Sequence, residues 1–152
     1  MEQKPFHVFH LEPIDSKNRQ EAEHLAGFSE QSGFIESVAE CLQEADQLAL
    51  WRPVGIYGGS TLVGFAMYGY FPAPGQLWLD RLLIDKAYQG RGYGREAILA
   101  LLDRLRGEYD SPVVYLSVYP ENAHAIRLYQ QIGFRFNGKY DTKGESIMEY
   151  AF

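Results

Sequence analysis

The stretch Leu77–Leu102, LWLDRLLIDKAYQGRGYGREAILALL, restricts the folds open to this chain more than any other. Leu77, Leu79, Leu82, Leu83 and Ile84 form an apolar run about as long as a buried strand. Gln89-Gly90-Arg91-Gly92-Tyr93-Gly94 follows, and then Ala97, Ile98, Leu101, Leu102 and Leu105 recur on one face of a helix. A glycine-rich turn between strand and helix suits an anion. Glycines let the backbone come close to a ligand. The first helical N–H groups have no partner inside the helix, and the helix dipole favours negative charge there. Arg91 and Arg95 add positive charge at the same place. Two common phosphate-binding patterns do not fit. Arg95 and Glu96 stand where the dinucleotide fingerprint G-x-G-x-x-G needs its last glycine, and no Gly-Lys-Ser/Thr is present.

The length of 152 residues suits one domain with a sizeable core. The net charge of −6 argues against a general nucleic-acid binder and agrees with a cationic substrate. Cys41 is the single cysteine, which excludes an internal disulfide and a cysteine-rich metal site. It falls in a helical pattern, where a small core residue is expected. The N-terminus has no signal-peptide pattern and no segment approaches a membrane span, so the cytoplasm is the expected location, without membrane or metal.

Along the chain, Phe6 to Leu11 alternates as a first strand. Asp15 or Ser16 is placed to cap a helix reaching about Leu25, and Phe34 to Gln47 reads as a second helix. Glu36, Glu40 and Glu44 share a face of that helix, either a solvated face or an acidic wall for a polycation. Trp51–Tyr57 and Thr61–Phe71 read as strands joined by Gly58-Gly59-Ser60. Val113–Val118 is a further strand, and Asn122 opens a short helix closed by Gly133. Phe134–Tyr140 and Glu145–Tyr150 form a last strand pair. The order β-α-α-β-β-β-α-β-α-β-β predicts an α/β sandwich with a mixed, largely antiparallel sheet.

Gln89-x-x-Gly92-x-Gly94 after an apolar strand resembles the acyl-CoA loop of the GNAT (Gcn5-related N-acetyltransferase) superfamily. Asn122-Ala-His-Ala-Ile-Arg-Leu-Tyr129 followed by Gly133-Phe134 resembles its second acyl-CoA motif, in the right order and at the right separation. The elements match the family fold over nearly the whole chain. Five stretches also resemble the bacterial spermine/spermidine N-acetyltransferases of multidrug-efflux operons: Phe34–Ser37, Trp51–Gly55, Val63–Gly69, Trp78–Arg81 and Ala125–Gln130. The resemblance implies a GNAT fold with a splayed acyl-CoA cleft between the central strand and the next parallel one. It implies a pantetheine arm paired with the backbone of Leu82, Leu83 and Ile84. The pyrophosphate would sit on the amides from Gln89 to Arg95, chiefly those of Gly90, Gly92 and Gly94. Arg91 and Arg95 would meet CoA phosphates or remain solvated, and Asn122 would cap its helix, contact CoA, or do both.

Acetyl transfer needs an uncharged amine. Alkylamines have a pKa of about 10, so deprotonation at neutral pH costs roughly 4 kcal/mol. A carboxylate that takes the proton reduces that cost. By resemblance Asp80 is the base or an ammonium ligand, unless it pairs with Arg81. Tyr129 stands where the family carries the tyrosine that protonates the departing thiolate, and a phenol is still protonated at neutral pH. Glu36 is the leading helical candidate to bind the amine, ahead of Glu40, Glu44 and Asp46. Trp51, Tyr68, Phe71 and Trp78 are aromatic candidates to line its methylene chain. The implied activity is transfer of an acetyl group from acetyl-CoA to a primary amine of a polyamine, by direct attack in a ternary complex. Acetylation of a protein N-terminus, a lysine or an aminoglycoside is the alternative within enzymes. A non-catalytic CoA-binding sensor is the alternative outside them. A homodimer is an expectation from analogy.

Overall fold

The computed structural model describes residues 9–26 and 37–152. The elements run β1 (Phe9–Pro13), α1 (Arg19–Glu23), α2 (Val38–Gln47), β2 (Trp51–Gly58), β3 (Thr61–Phe71), β4 (Gln76–Ile84), α3 (Tyr93–Glu108), β5 (Val113–Val118), α4 (Ala123–Ile132), β6 (Arg135–Tyr140) and β7 (Ser146–Ala151). This is the element order that the sequence predicts. The seven strands form one sheet in the order β1-β2-β3-β4-β5-β7-β6. Every neighbouring pair is antiparallel except β4 and β5. That pair is parallel because helix α3 carries the chain back along the sheet before β5 begins.

Helices cover both faces of the sheet. On one face Tyr93, Ala97, Ile98, Leu101, Leu102 and Leu105 of α3 join Leu77, Leu79, Val114, Leu116 and Phe134 in one cluster. The helical period read in the sequence therefore marks the buried stripe of α3. Ala125, Ile126, Leu128 and Ile132 of α4 pack against the same cluster. On the other face Ala22 of α1 and Val38, Cys41 and Leu42 of α2 pack with Phe65, Met67 and Leu83. Cys41 is fully buried there, as its place in the pattern requires. No helix among the described residues is long and apolar enough to cross a membrane.

The helix starts are set by local polar chemistry. Ser37 caps α2: its Oγ accepts the Glu40 N–H at 3.1 Å, and Glu40 Oε1 accepts the Ser37 N–H at 3.1 Å. Helix α2 therefore starts at Val38, later than the sequence reading places it, and Phe34–Glu36 lie outside the described residues. So does the first part of the expected opening strand. Helix α1 starts at Arg19 rather than just after Asp15 or Ser16, and it ends at Glu23. A turn intervenes, in which Asp15 Oδ1 accepts the Lys17 N–H and Asn18 Oδ1 accepts the Asp15 N–H, both at 2.8 Å. Asn122 caps α4 by accepting the Ala125 N–H at 3.3 Å, and Gly133 closes the helix.

One irregularity in β4 bears on the site. The register steps from Leu79 opposite Tyr68 to Arg81 opposite Met67, so Asp80 is the extra residue of a β-bulge. Leu77 and Leu79 belong to the α3 side of the sheet, and after the bulge Ile84 does so too. The extra residue thus resets the alternation of the strand. It also answers why an aspartate interrupts an apolar run: at the bulge its side chain is exposed.

Strands β3 and β4 approach so closely at Gly64 that a Cβ there would collide with the backbone oxygen of Leu83. Gly107, near the end of α3, has nothing within 4 Å of an added Cβ. Gly64→Ala should lower the unfolding free energy by about 1–3 kcal/mol through overpacking. Gly107→Ala should raise it by up to about 0.5–1 kcal/mol through helix propensity. Urea denaturation of the two variants checks both signs, and a Gly64→Ala protein as stable as the parent would contradict the close strand approach.

Candidate active site

Strands β4 and β5 pair through only two register positions, Leu77 with Val114 and Trp78 with Tyr115. Beyond them β4 continues along β3 to Ile84, and β5 continues along β7 to Val118. A wedge opens between the two arms. It holds a cavity of about 870 Å³, lined by Leu79–Ile84, Leu116–Tyr119, the glycine turn and the first turns of α3 and α4. This volume is in the range of cofactor-sized ligand sites.

Where the strands part, side chains take over backbone pairing on the β4 arm. Arg81 Nη1 donates to the Leu82 carbonyl at 3.2 Å, and Gln89 Nε2 donates to the Ile84 carbonyl at 2.8 Å. Gln89 thereby ties the start of the glycine turn to the end of β4, a brace that sequence reading did not assign. Asp85 anchors the preceding turn, since its Oδ1 accepts the Ala26 N–H at 2.9 Å and its Oδ2 accepts the Ala87 N–H at 3.2 Å.

The turn itself is an open backbone cradle. Gly90 and Gly92 have φ of 79° and 81°, a left-handed conformation that other residues rarely adopt. A Cβ at either position would meet nothing within 4 Å. Gly92 is the N-cap of α3 and supplies no side-chain cap, so the opening N–H groups of α3 are not held by a capping side chain. Gly94 differs, because a Cβ there would touch Leu128 of α4 at 3.4 Å. Gln89, Gly90, Gly92, Gly94 and Arg95 all line the cavity. Arg91 does not: the turn between two left-handed glycines leaves it exposed, outside the lining.

Asp80 from the β4 bulge and Tyr129 from α4 line the same cavity. Burial pushes the Tyr129 phenol up to about 12, and the Arg81 guanidinium opposes that rise. Its ring packs on Phe134, with centroids 5.6 Å apart. Asn122 lines the cavity while it caps α4, so one side chain is available to both tasks. His124 is exposed and also belongs to the lining, which helical direction alone had not fixed.

Aromatic and charged side chains also line the cavity: Trp51, Phe71 and Trp78, together with Asp141, Lys143 and Glu145 of the loop between β6 and β7. Tyr68 belongs elsewhere: it is buried, and its hydroxyl donates to the two Glu108 carboxylate oxygens at 2.9 and 3.1 Å. The helical carboxylates are dispersed. Glu36 lies outside the described residues. The Glu40 carboxyl is held below its usual range by its bonds to Ser37. Asp46 accepts two hydrogen bonds from Arg19, at 3.0 and 2.8 Å, and these hold its carboxyl low as well. Glu40, Glu44 and Asp46 do not line this cavity. Asp141 and Glu145 escaped sequence reading because one looked like an ordinary turn residue and the other like the first residue of a strand. Only the folding of the β6–β7 loop over the cleft brings them to it.

The raised Tyr129 phenol has a consequence for stability. The unfolded chain releases that proton at about pH 10, whereas the folded state keeps it to about 12. The stabilising contribution is complete below the unfolded value and is lost as pH rises through the folded one. Tyr129→Phe should therefore make the unfolding free energy fall less steeply than in the parent over that interval, as read from urea unfolding at a series of pH values. An unchanged slope would contradict the buried phenol.

Comparison with known proteins agrees with this geometry. The family model described as "Acetyltransferase (GNAT) family" matches residues 16–134. The spermine/spermidine N(1)-acetyltransferase of Bacillus subtilis (strain 168) is 42% identical over 144 residues, covering 91% of this chain and 95% of that protein. A crystal structure of spermidine N-acetyltransferase from Vibrio cholerae with CoA and spermine superposes with a TM-score of 0.75 at 17% identity, covering 94% of this chain and 95% of that one. The aminoglycoside acetyltransferase AAC(6′)-Ib with coenzyme A gives a TM-score of 0.78 at 20% identity, with 95% of each chain covered. The forked sheet, the glycine cradle and these matches agree, and the chain belongs to the GNAT acetyltransferase family, whose chemistry is transfer of an acetyl group from acetyl-CoA to an amine.

Proposed function

We propose that this enzyme acetylates a primary amine of a polyamine such as spermidine or spermine, by direct attack in a ternary complex. The observation that carries the reading is one cavity joining four features: a glycine cradle, a carboxylate in a bulge, a high-pKa phenol, and an aromatic lining of Trp51, Phe71 and Trp78. The relative that spans nearly the whole chain is a polyamine enzyme, which supports the choice of amine.

The residues present fit acetyl-CoA. The backbone of Leu82, Leu83 and Ile84 would pair with the pantetheine amides, and the amides of Gln89, Gly90, Gly92 and Gly94 would receive the pyrophosphate, with Arg95 and Asn122 beside it. The open, left-handed backbone at Gly90 and Gly92, on the cavity lining at the start of α3, is in keeping with that fit. Acetyl-CoA supplies an activated thioester carbonyl. Asp80 takes the proton of the incoming ammonium, directly or through water, or holds that ammonium in place. Tyr129 keeps its proton at neutral pH and donates it from Oη toward the departing sulfur. Cys41 is buried and does not line the cavity, so it is not placed to carry the acetyl group, in keeping with direct attack.

The test is a free-thiol release assay with acetyl-CoA and a panel of spermidine, spermine, putrescine, an aminoglycoside and a lysine peptide. Turnover of spermidine and spermine is expected; turnover of the peptide or the aminoglycoside alone would overturn the substrate. Acetyl-CoA binding without any turnover would leave the sensor reading in its place. Tyr129→Phe should lower kcat by about a hundredfold or more while acetyl-CoA affinity stays within about twofold. Equal loss in both would refute the acid. Gly92→Val should abolish acetyl-CoA binding in calorimetry while the circular dichroism spectrum is retained, and unchanged binding would refute the cradle.

A further inference from the structure

The register of the sheet lines up four residues that sequence spacing does not connect. Trp51 of β2 is opposite Gly69 of β3, Gly69 is opposite Trp78 of β4, and Trp78 is opposite Tyr115 of β5. Residues directly opposite in neighbouring strands share a face of the sheet. Trp51 packs against the α1–α2 cluster, so the row belongs to that face, away from α3. Trp51 and Trp78 both line the cavity.

Each ring in the row is held. The Trp78 Nε1–H donates to Gln76 Oε1 at 3.1 Å, which satisfies the one donor of the indole. The Tyr115 ring lies beside it, with centroids 5.3 Å apart and a tilt of 33°. On the other side β3 offers no side chain, because its residue there is Gly69. A Cβ at Gly69 would lie 2.9 Å from both the Leu50 carbonyl and Cε3 of Trp51. The glycine therefore admits the Trp51 ring, which is held edge-on to Phe71 at 5.0 Å. The two indoles stand two strands apart, about 10 Å between backbones, across a notch with no side chain from the strand between them. Asp80, the extra residue of the bulge, follows two residues after Trp78 on the same strand.

We propose that Trp78 is a specificity-determining residue of the acceptor site, its indole surface receiving the cationic chain that trails the reacting amine held at Asp80. This rests on the polyamine reading above. A flexible chain of methylenes and ammonium groups suits such a surface, since methylenes pack on ring carbons and ammonium groups are drawn to the π face. Asp141, Lys143 and Glu145 of the β6–β7 loop line the same cavity, so charged groups of both signs stand near this surface.

The experiment compares spermidine with a diaminoalkane of the same length that lacks the central nitrogen, using the parent, Trp78→Leu and Trp78→Phe proteins. Trp78→Leu should raise KM for spermidine about tenfold, as loss of a partly desolvated cation–π contact. The rise for the diaminoalkane should be smaller. Both kcat and the KM for acetyl-CoA should stay close to the parent values, and Trp78→Phe should recover most of the spermidine KM. An unchanged spermidine KM overturns the proposal. An equal rise for both amines reduces Trp78 to an apolar wall and overturns it too, as does a parallel rise in the acetyl-CoA KM. A parent protein that turns over neither amine overturns the polyamine reading, and this inference with it.

Discussion

The structure depends on a parallel strand pair that stops after two register positions. A strand buried in the middle of a sheet must satisfy its backbone groups on both sides. Strand β4 does so along β3 on either side of the Asp80 bulge but only briefly along β5. Past Trp78 and Tyr115 the β5 side of β4 faces a cavity, and there the Leu82 and Ile84 carbonyls accept from Arg81 and Gln89. These two side chains are the local cost of the fork. They also make the site: Gln89 fixes the glycine turn against the strand end, and Arg81 lies where its charge reaches the Tyr129 phenol. Helices α3 and α4 close the fork from one face, with Gly94 small enough to keep Leu128 at van der Waals distance.

The bulge at Asp80 solves a second problem. With Leu77 and Leu79 on the α3 side, regular alternation would send Arg81 and Leu83 into that core next, and a guanidinium there would be costly to bury. One extra residue lets β4 present Leu77 and Leu79 to that core, expose Asp80, and return Ile84 to the same core. The cavity-lining carboxylate is thus carried on a central strand rather than a loop, while the hydrophobic layers on both sides remain continuous. In the mechanism proposed above, such support holds the proton acceptor in position.

Charge is sorted in a comparable way. Of the acidic residues on the helices, Glu40 is engaged in capping α2 and Asp46 in binding Arg19. Neither faces the cavity. The carboxylates that do face it come from the β4 bulge and from the β6–β7 loop, segments far apart in the chain. Tyr68 and Tyr129 show how environment separates identical side chains. Both phenols are raised by burial, but Tyr68 donates to Glu108 and serves packing, whereas Tyr129 opens onto the cleft.

Much of this was legible in the sequence. The apolar period of β4 and α3, the glycine turn between them and the second motif around Asn122 and Tyr129 are local signals. Local signals survive because strand alternation, helical period and capping are set within a few residues. The element order and the mixed sheet followed from them. Tertiary structure alone decided the rest. Where β4 and β5 part, which residue is extra in β4, and that both indoles stand opposite Gly69 are matters of register between strands, and register is fixed by the packing of whole faces. For the same reason the sequence named Asp80 and Tyr129 as candidates, but only the fold could bring both to one cavity, leave Arg91 outside its lining, bring Asp141 and Glu145 to it, and assign Tyr68 to the core.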